Sequence, residues 1–227
     1  MNDCIAIVPA AGSGVRLGGE VPKALVEINK SQTILEKTVS CLIESEIFSY
    51  IVVAAKEEEK KQFSDVLEKY SKEFEINVIT GGKSRQESVL NSLDFINTKS
   101  KYVLIHDAAR PLCHVNDIKE VFEATRVASA AILAEPIQST VKRVNPKSSV
   151  VLETVPRNGL WSALTPQGFE FELIYQAHQK ALEDGFEGTD DSSLVERMGR
   201  EVKIVPASSC NLKITTQVDL ELVKKLI

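Results

Sequence analysis

Short apolar runs alternate with amphipathic stretches along most of this chain, and that alternation narrows its fold more than any other feature. Ile5–Val8, Tyr50–Ala55, Ile76–Thr80, Tyr102–His106 and Ala130–Glu135 are apolar or β-branched runs of strand length. Between them, Thr33–Glu44, Glu57–Phe74, Ser84–Ile96 and Asn116–Ala128 show helical patterns. A strand followed by a crossover helix returns parallel to its predecessor, and the helices then cover both faces. The expectation is an α/β chain with a mostly parallel sheet and helices on both faces. After Pro136 the pattern changes. Thr140–Val144 and Val150–Val155 alternate around Asn145-Pro146-Lys147-Ser148, which predicts a β-hairpin. Standing off such a core, it is either a surface hairpin or a dimerisation arm. Helical patterns resume at Glu170–Glu183, Ser192–Met198 and Gln217–Leu226, with a late strand at Val202–Val205. No repeat or linker interrupts the chain, so residues 1–227 are expected to form a single domain, with 137–160 as the projecting arm.

Composition excludes several function classes. With 43% hydrophobic and 26% charged residues the chain can bury an ample core. Its formal charge of −5 argues against bulk binding to nucleic acid or a membrane surface, which needs a basic face. The four cysteines, at positions 4, 41, 113 and 210, form no Cys-x-x-Cys pair, so a zinc site is not expected. Cys4 and Cys41 are read as small core residues. No basic leader and no apolar run of membrane-spanning length is visible, so the expected location is cytoplasmic.

In an open parallel sheet, ligands bind beyond the carboxyl ends of the strands. The first strand runs into Pro9-Ala10-Ala11-Gly12-Ser13-Gly14, followed by Arg16 and the pair Pro22-Lys23. Glycines let backbone N–H groups approach phosphate oxygens, and fixed cations neutralise what the amides cannot. A dinucleotide fingerprint would need glycine at position 17, which is Leu17. A P-loop would need Gly-Lys-Ser/Thr, yet Gly19 is followed by Glu20. The segment is then either an ordinary strand-to-loop turn or a nucleoside triphosphate site, and Arg16 with Pro22-Lys23 favours the second. After Ile76–Thr80, the segment Gly81-Gly82-Lys83-Ser84-Arg85-Gln86-Glu87-Ser88 suits a base edge or a phosphate, or else a turn and a helix cap. After Tyr102–His106, Asp107 could ligate Mg2+ and Arg110 could hold a second anion, or the two could form a structural ion pair. Such loops at three strand ends favour a shared crevice. Arg157, beyond the hairpin, and Lys213, near the C-terminus, add cations. Thr189-Asp190-Asp191-Ser192-Ser193 precedes a helical pattern and is read as capping rather than metal binding. His106 is expected to be structural, His114 and His178 show no catalytic partner, and no nucleophile elbow is present.

Together these segments resemble the 2-C-methyl-D-erythritol 4-phosphate cytidylyltransferases of the non-mevalonate isoprenoid pathway. The matching pieces are PAAGSGVRLG, PK, GGKSRQESV, HDAARP, RNGLWSALTPQ, TDDSS and NLKIT, spread in the family's order from residue 9 to 215. The resemblance implies a Rossmann-like nucleotidyltransferase sheet. It also implies cytidylyl transfer from CTP to methylerythritol phosphate with Mg2+, and a homodimer whose arm reaches the neighbouring site. It places Pro9, Ala10, Ala11, Gly12, Ser13 and Gly14 around the CTP phosphates. Arg16 and Lys23 would act on the transition state. Gly81, Gly82, Ser84, Arg85 and Ser88 would lie on the cytosine side, with Ala108 also at CTP. Asp107 would sit at the metal and near the acceptor phosphate. Arg110, Thr140, Arg157 and Thr165 would position the acceptor, the last three across the dimer, and Lys213 would contact the phosphates. Leu164, Cys210, Val15 and Pro156 depart from commoner versions of the pattern. Cys210 stands where an acidic metal helper could otherwise be.

The implied chemistry is in-line attack of a phosphate oxygen on the α-phosphorus of CTP. The attacking group is already anionic, so no general base is required, in keeping with the missing catalytic histidine. Two rival readings exist. A ribitol 5-phosphate cytidylyltransferase would share the CTP loop, although the Arg157–Trp161 segment favours methylerythritol phosphate. A catalytically inactive nucleotide-binding regulator would not be expected to keep Arg16, Lys23, Asp107 and Lys213.

Overall fold

The computed structural model describes residues 3–12, 21–96 and 100–227. Its sheet grows outward from β1 (Cys4–Pro9), which pairs in parallel with β4 (Phe48–Ala55) on one side and β6 (Tyr102–Ile105) on the other. Beyond β4 lies β5 (Ile76–Thr80), again parallel. Beyond β6 come β10 (Trp161–Glu170), β7 (Ala130–Pro136) and β11 (Lys203–Pro206), so the seven-stranded order is β11-β7-β10-β6-β1-β4-β5. Only β10 runs antiparallel to its neighbours. Two short ribbons stand apart, β2 (Glu27–Asn29) with β3 (Gln32–Thr33), and β8 (Val141–Val144) with β9 (Val151–Val155). The second ribbon is the predicted hairpin.

Burial on two faces explains the continuous apolar runs. Along β1, Cys4, Ala6 and Val8 face one core, and Ile5 and Ile7 the other. The first core is closed by α1 (Ile34–Glu44), α2 (Lys60–Ser71) and α4 (Val115–Ala128), through Leu35, Phe63 and Val121 among others. The second is closed by α3 (Arg85–Ile96), α5 (Phe171–Glu183) and α6 (Asp191–Arg197), through Leu93, Ile174 and Leu194. Each such side chain contributes about 1.5–3 kcal/mol on burial. A third cluster seats α7 (Gln217–Leu226) against β2 through Leu220, Val223 and Ile28. Cys4, Cys41 and Cys113 are buried, free thiols, as read for the first two.

Local chemistry sets the element ends. Thr33 starts α1 with a capping box: its hydroxyl accepts from the Glu36 N–H at 3.2 Å, and Glu36 Oε2 accepts from the Thr33 N–H at 2.7 Å. Asp190 Oδ1 caps α6 by accepting from the Ser193 N–H at 3.0 Å, as the capping reading expects. Asp191 does something different, described below.

Two features correct the sequence reading. The small β2–β3 ribbon is too short to show a period. Strand β10 is hidden by Pro166 and Gly168, residues that argue against a central strand. Pro166 falls in the break of register between Ala163 and Gln167, where no ladder partner is needed. Gly168 is required by packing, since a Cβ there would lie 2.2 Å from Thr125 Oγ1 of α4. The segment holding Lys213 is a loop.

Candidate active site

The order around β1 reverses direction, because β4 and β5 lie to one side and β6 to the other. That switch point opens a crevice at the carboxyl ends of the strands. A cavity of about 630 Å³ occupies it, within the range of small-molecule sites.

The floor comes from β1. Pro9, Ala10, Ala11 and Gly12 line the cavity, with the Ala10 N–H donating to Ala54 O at 2.8 Å. Ser13, Gly14 and Arg16 lie outside the described residues. Lys23 opens a short 3-10 turn, Lys23–Leu25, whose Ala24 and Leu25 are buried, and Lys23 itself faces the cavity. On the next wall, Gly82, Ser84, Arg85 and Ser88 line the cavity, and Gly81 braces it from behind. The Gly81 N–H donates to Ala55 O at 2.7 Å, and a Cβ on Gly81 would sit 2.8 Å from the Ala11 Cβ. Glycine at 81 therefore lets two loops touch. Ser88 Oγ accepts from the Gly82 N–H at 3.0 Å and donates to Ser84 O at 2.8 Å, which shapes the turn.

Asp107 is the hub. It follows β6, its side chain is 9% exposed, and three cations surround it. Oδ1 accepts from Arg85 Nε at 2.9 Å and Oδ2 from Lys213 Nζ at 2.6 Å, while Arg110 Nε lies 3.8 Å away. Burial works to raise the Asp107 pKa, but the charges of Arg85 and Lys213 outweigh it and hold the carboxyl well below the ordinary range. Lys213 arrives on a loop anchored by the Ile214 N–H to Ala109 O at 2.9 Å and by burial of Ile214. Ala108 lines the same wall.

Other expected residues sit elsewhere. Arg110 is buried beneath the cleft, and its Nη1 donates to Asn211 O at 2.7 Å. Thr165 is corrected outright. Strand β10 lies beside β6, so Thr165 Oγ1 accepts from the Asp107 N–H at 3.1 Å in the same chain rather than across a dimer. Its hydroxyl also meets His106 Nδ1 at 3.0 Å, and His106 Nε2 lies 3.2 Å from Arg110 O. Burial lowers the His106 pKa to about 4, so the ring is a neutral brace, as expected of it. Thr140 and Arg157 lie at the base of the arm. Arg157 donates to Gln138 O and lines a separate cavity of about 440 Å³ with Pro136 and Trp161. Among the described residues, none lines both cavities.

Lys83, within the segment expected on this wall, also lines the cleft, and so does Lys56, which sequence reasoning missed. Lys56 follows β4 directly, so the strand-end rule applied to every strand would have found it. It pairs with Glu59 at 3.0 Å.

Among the described residues no three His, Cys, Asp or Glu side chains gather to hold a metal. Asp107 is the one carboxylate among the described residues lining the cleft. That donor set suits Mg2+, which needs only one or two protein carboxylates when phosphate oxygens and water supply the rest.

The mostly parallel α/β sheet with its cation-lined cleft at the switch point has the nucleotidyltransferase fold of its solved neighbours, and that fold gives the class of this protein. The comparisons narrow the class. The model of the 2-C-methyl-D-erythritol 4-phosphate cytidylyltransferase family matches residues 4–227. The enzyme of that name from Bacillus cytotoxicus is 40% identical over 94% of this chain and 93% of its own. Among solved structures, the cytidylyltransferase of Francisella tularensis has a TM-score of 0.84 and 31% identity, covering 99% of this chain and 100% of that one. The 4-diphosphocytidyl-2C-methyl-D-erythritol synthase of Anaerococcus prevotii has a TM-score of 0.86 and 29% identity, covering 98% and 95%. The chain belongs to the 2-C-methyl-D-erythritol 4-phosphate cytidylyltransferase family.

Proposed function

We propose that the switch-point cleft is the CTP half of a two-phosphate active site and that the arm base completes it in a second copy of the chain. The reaction transfers a cytidylyl group from CTP to 2-C-methyl-D-erythritol 4-phosphate, on the non-mevalonate route to isoprenoids. The observation carrying this reading is the meeting of Lys23, Arg85 and Lys213 with Asp107 in one nucleotide-sized cavity.

In the reaction an acceptor phosphate oxygen forms a bond to the α-phosphorus of CTP, and the bond from that phosphorus to pyrophosphate breaks. Two anions must meet, so the protein's task is electrostatic. Pro9 to Gly14 wrap the phosphates. Arg16 and Lys23 offset charge on the α-phosphate and the leaving group. Gly81, Gly82, Ser84, Arg85 and Ser88 bound the base side, and Ala108 closes against the nucleotide. Lys213 and Arg157 hold the acceptor, and Thr140 adds a contact from the arm. Arg110 and Thr165 act from beneath, by fixing Asp107 and the Lys213 loop. Asp107 would hold Mg2+, which when bound neutralises phosphate charge and polarises the phosphoryl oxygens.

Residues 1–227 are read as one domain, with 137–160 as a dimerisation arm. The arm leaves Val144, Val150, Val151 and Leu152 exposed on a ribbon separate from the main sheet. A lone two-stranded ribbon is marginal in water and gains from a partner. Both substrates are charged metabolites of the cell interior, which supports a cytoplasmic enzyme.

The test is pyrophosphate release from CTP and Mg2+ with methylerythritol phosphate or ribitol 5-phosphate as acceptor. Preference for ribitol phosphate would overturn the acceptor assignment, and no release with either would favour the inactive regulator. Mixing inactive Arg157→Ala and Lys213→Ala chains tests the arm. Hybrid dimers with one intact site should regain activity, and no recovery in verified hybrids would sink the crossing arm.

A further inference from the structure

Arg85 does not belong to Asp107 alone. Its Nη1 lies 2.7 Å from Asp191 Oδ2, while its Nε holds Asp107 Oδ1 at 2.9 Å. Asp191 is 1% exposed, and the fully buried His178 brings Nε2 to 3.3 Å from Asp191 Oδ1. Asp190 supplies the N-cap bond of α6, whereas Asp191, in the first turn, makes no capping hydrogen bond. Among the described residues, neither Asp191 oxygen and neither His178 nitrogen has an aligned hydrogen bond. Contacts of ion-pair length without that alignment are an expensive way to fill a core. An apolar pair of similar size would stabilise the fold as well or better.

The surroundings hold this cluster in place. Gln86, next to Arg85, accepts from the Gly188 N–H at 2.9 Å and donates to Phe186 O at 3.0 Å. Gln167 of β10 donates to Asp190 Oδ2 at 2.8 Å and accepts from the Ser192 N–H at 3.0 Å. The segment bearing Asp191 is thereby tied to the start of α3 and to β10. A guanidinium is a rigid planar group, so an ion pair that holds Nη1 beside Asp191 limits the directions in which Nε can meet Asp107. With Oδ1 of Asp107 taken by Arg85, Oδ2 is left on the Lys213 side of the cleft.

We infer that Asp191, backed by His178, is a positioning residue of the active site: it anchors Arg85 from behind, and Arg85 aims Asp107 at the reacting phosphates. The inference rests on reading the cleft as the CTP site.

The experiment compares Asp191→Asn, Arg85→Lys and the double variant with the unsubstituted enzyme. Steady-state rates with CTP and methylerythritol phosphate give kcat and KM, and thermal melting verifies folding. Each single change should lower kcat/KM for CTP about 10-fold, and the double variant should be no worse than the poorer single one, as coupled residues require. Effects that multiply independently overturn the proposal, as does a lowered Tm with unchanged kcat/KM. Should Asp191→Asn fail to fold, His178→Gln replaces it, and an unchanged kcat/KM in that folded variant overturns the proposal. Absence of turnover in the unsubstituted enzyme would instead defeat the proposed function. Coupling is then read in CTP dissociation constants from calorimetry, where the same non-additivity is required.

Discussion

Replacing Asp107 by asparagine removes one charge and almost no volume, so it isolates the electrostatic part of the site. The side chain is 9% exposed and faces Arg85 at 2.9 Å and Lys213 at 2.6 Å. Removing one partner of a buried pair costs about 3–5 kcal/mol. The Arg85 and Lys213 side chains are 30% and 40% exposed, so water recovers part of that loss. The expected destabilisation is about 2 kcal/mol, or about 4–8 °C in Tm for a chain of this length. Binding and turnover should then move differently. Among the described residues lining the cleft, Asp107 is the one carboxylate, against Lys23, Lys56, Lys83, Arg85 and Lys213. With a chelator present, CTP should bind the variant at least as tightly as the unsubstituted enzyme. Turnover should nevertheless fall by about 10²-fold or more, because the site loses the charged carboxylate that Arg85 aims and that holds Lys213. Calorimetric titration with CTP and EDTA measures the first quantity, and pyrophosphate release at saturating substrates the second. A kcat within about threefold of normal, or weaker CTP binding in EDTA, would refute the reasoning. The same carboxylate sets an acid limit. Its folded pKa is depressed, so its stabilisation is complete above its unfolded value of about 4 and is lost as pH falls below that. The asparagine variant should lack that part of the acid destabilisation.

Lys23→Ala should cut kcat by about 10²-fold while leaving Tm within a few degrees, and near-normal turnover would remove Lys23 from the transition state. His106 is neutral in the fold, with its pKa lowered by burial to about 4 from 6.5. Stability should therefore be complete above about pH 6.5 and decline between there and pH 4 by about 3 kcal/mol, and His106→Asn should flatten that slope in urea titrations. Gly81→Ala would press a methyl to 2.8 Å from the Ala11 Cβ. It should cost about 1–3 kcal/mol and raise the KM for CTP, and unchanged values of both would show that the loops can part freely.

Much of the fold was legible because strands and helices with two-sided or one-sided burial carry their own period. The runs at Ile76–Thr80 and Gln217–Leu226 coincide with β5 and α7 residue for residue. The turn and cap chemistry of Asp190 was legible for the same local reason. Strand β10 was not, because Pro166 and Gly168 read locally as breakers, and only the register break and the approach of α4 make room for them.

By itself, then, the sequence determined the α/β alternation, the hairpin and the polar loops that follow the strands. Each depends on neighbours within a few residues, and the family motifs lie in those same short segments. The tertiary structure decided which charges meet. It put Thr165 beneath Asp107 in the same chain, sank Arg110 below the cleft and set Arg85 between Asp107 and Asp191. Those partners are separated by tens of residues, and no local pattern encodes them. They meet because crossovers carry β6, α3, β10 and α6 to one end of the sheet.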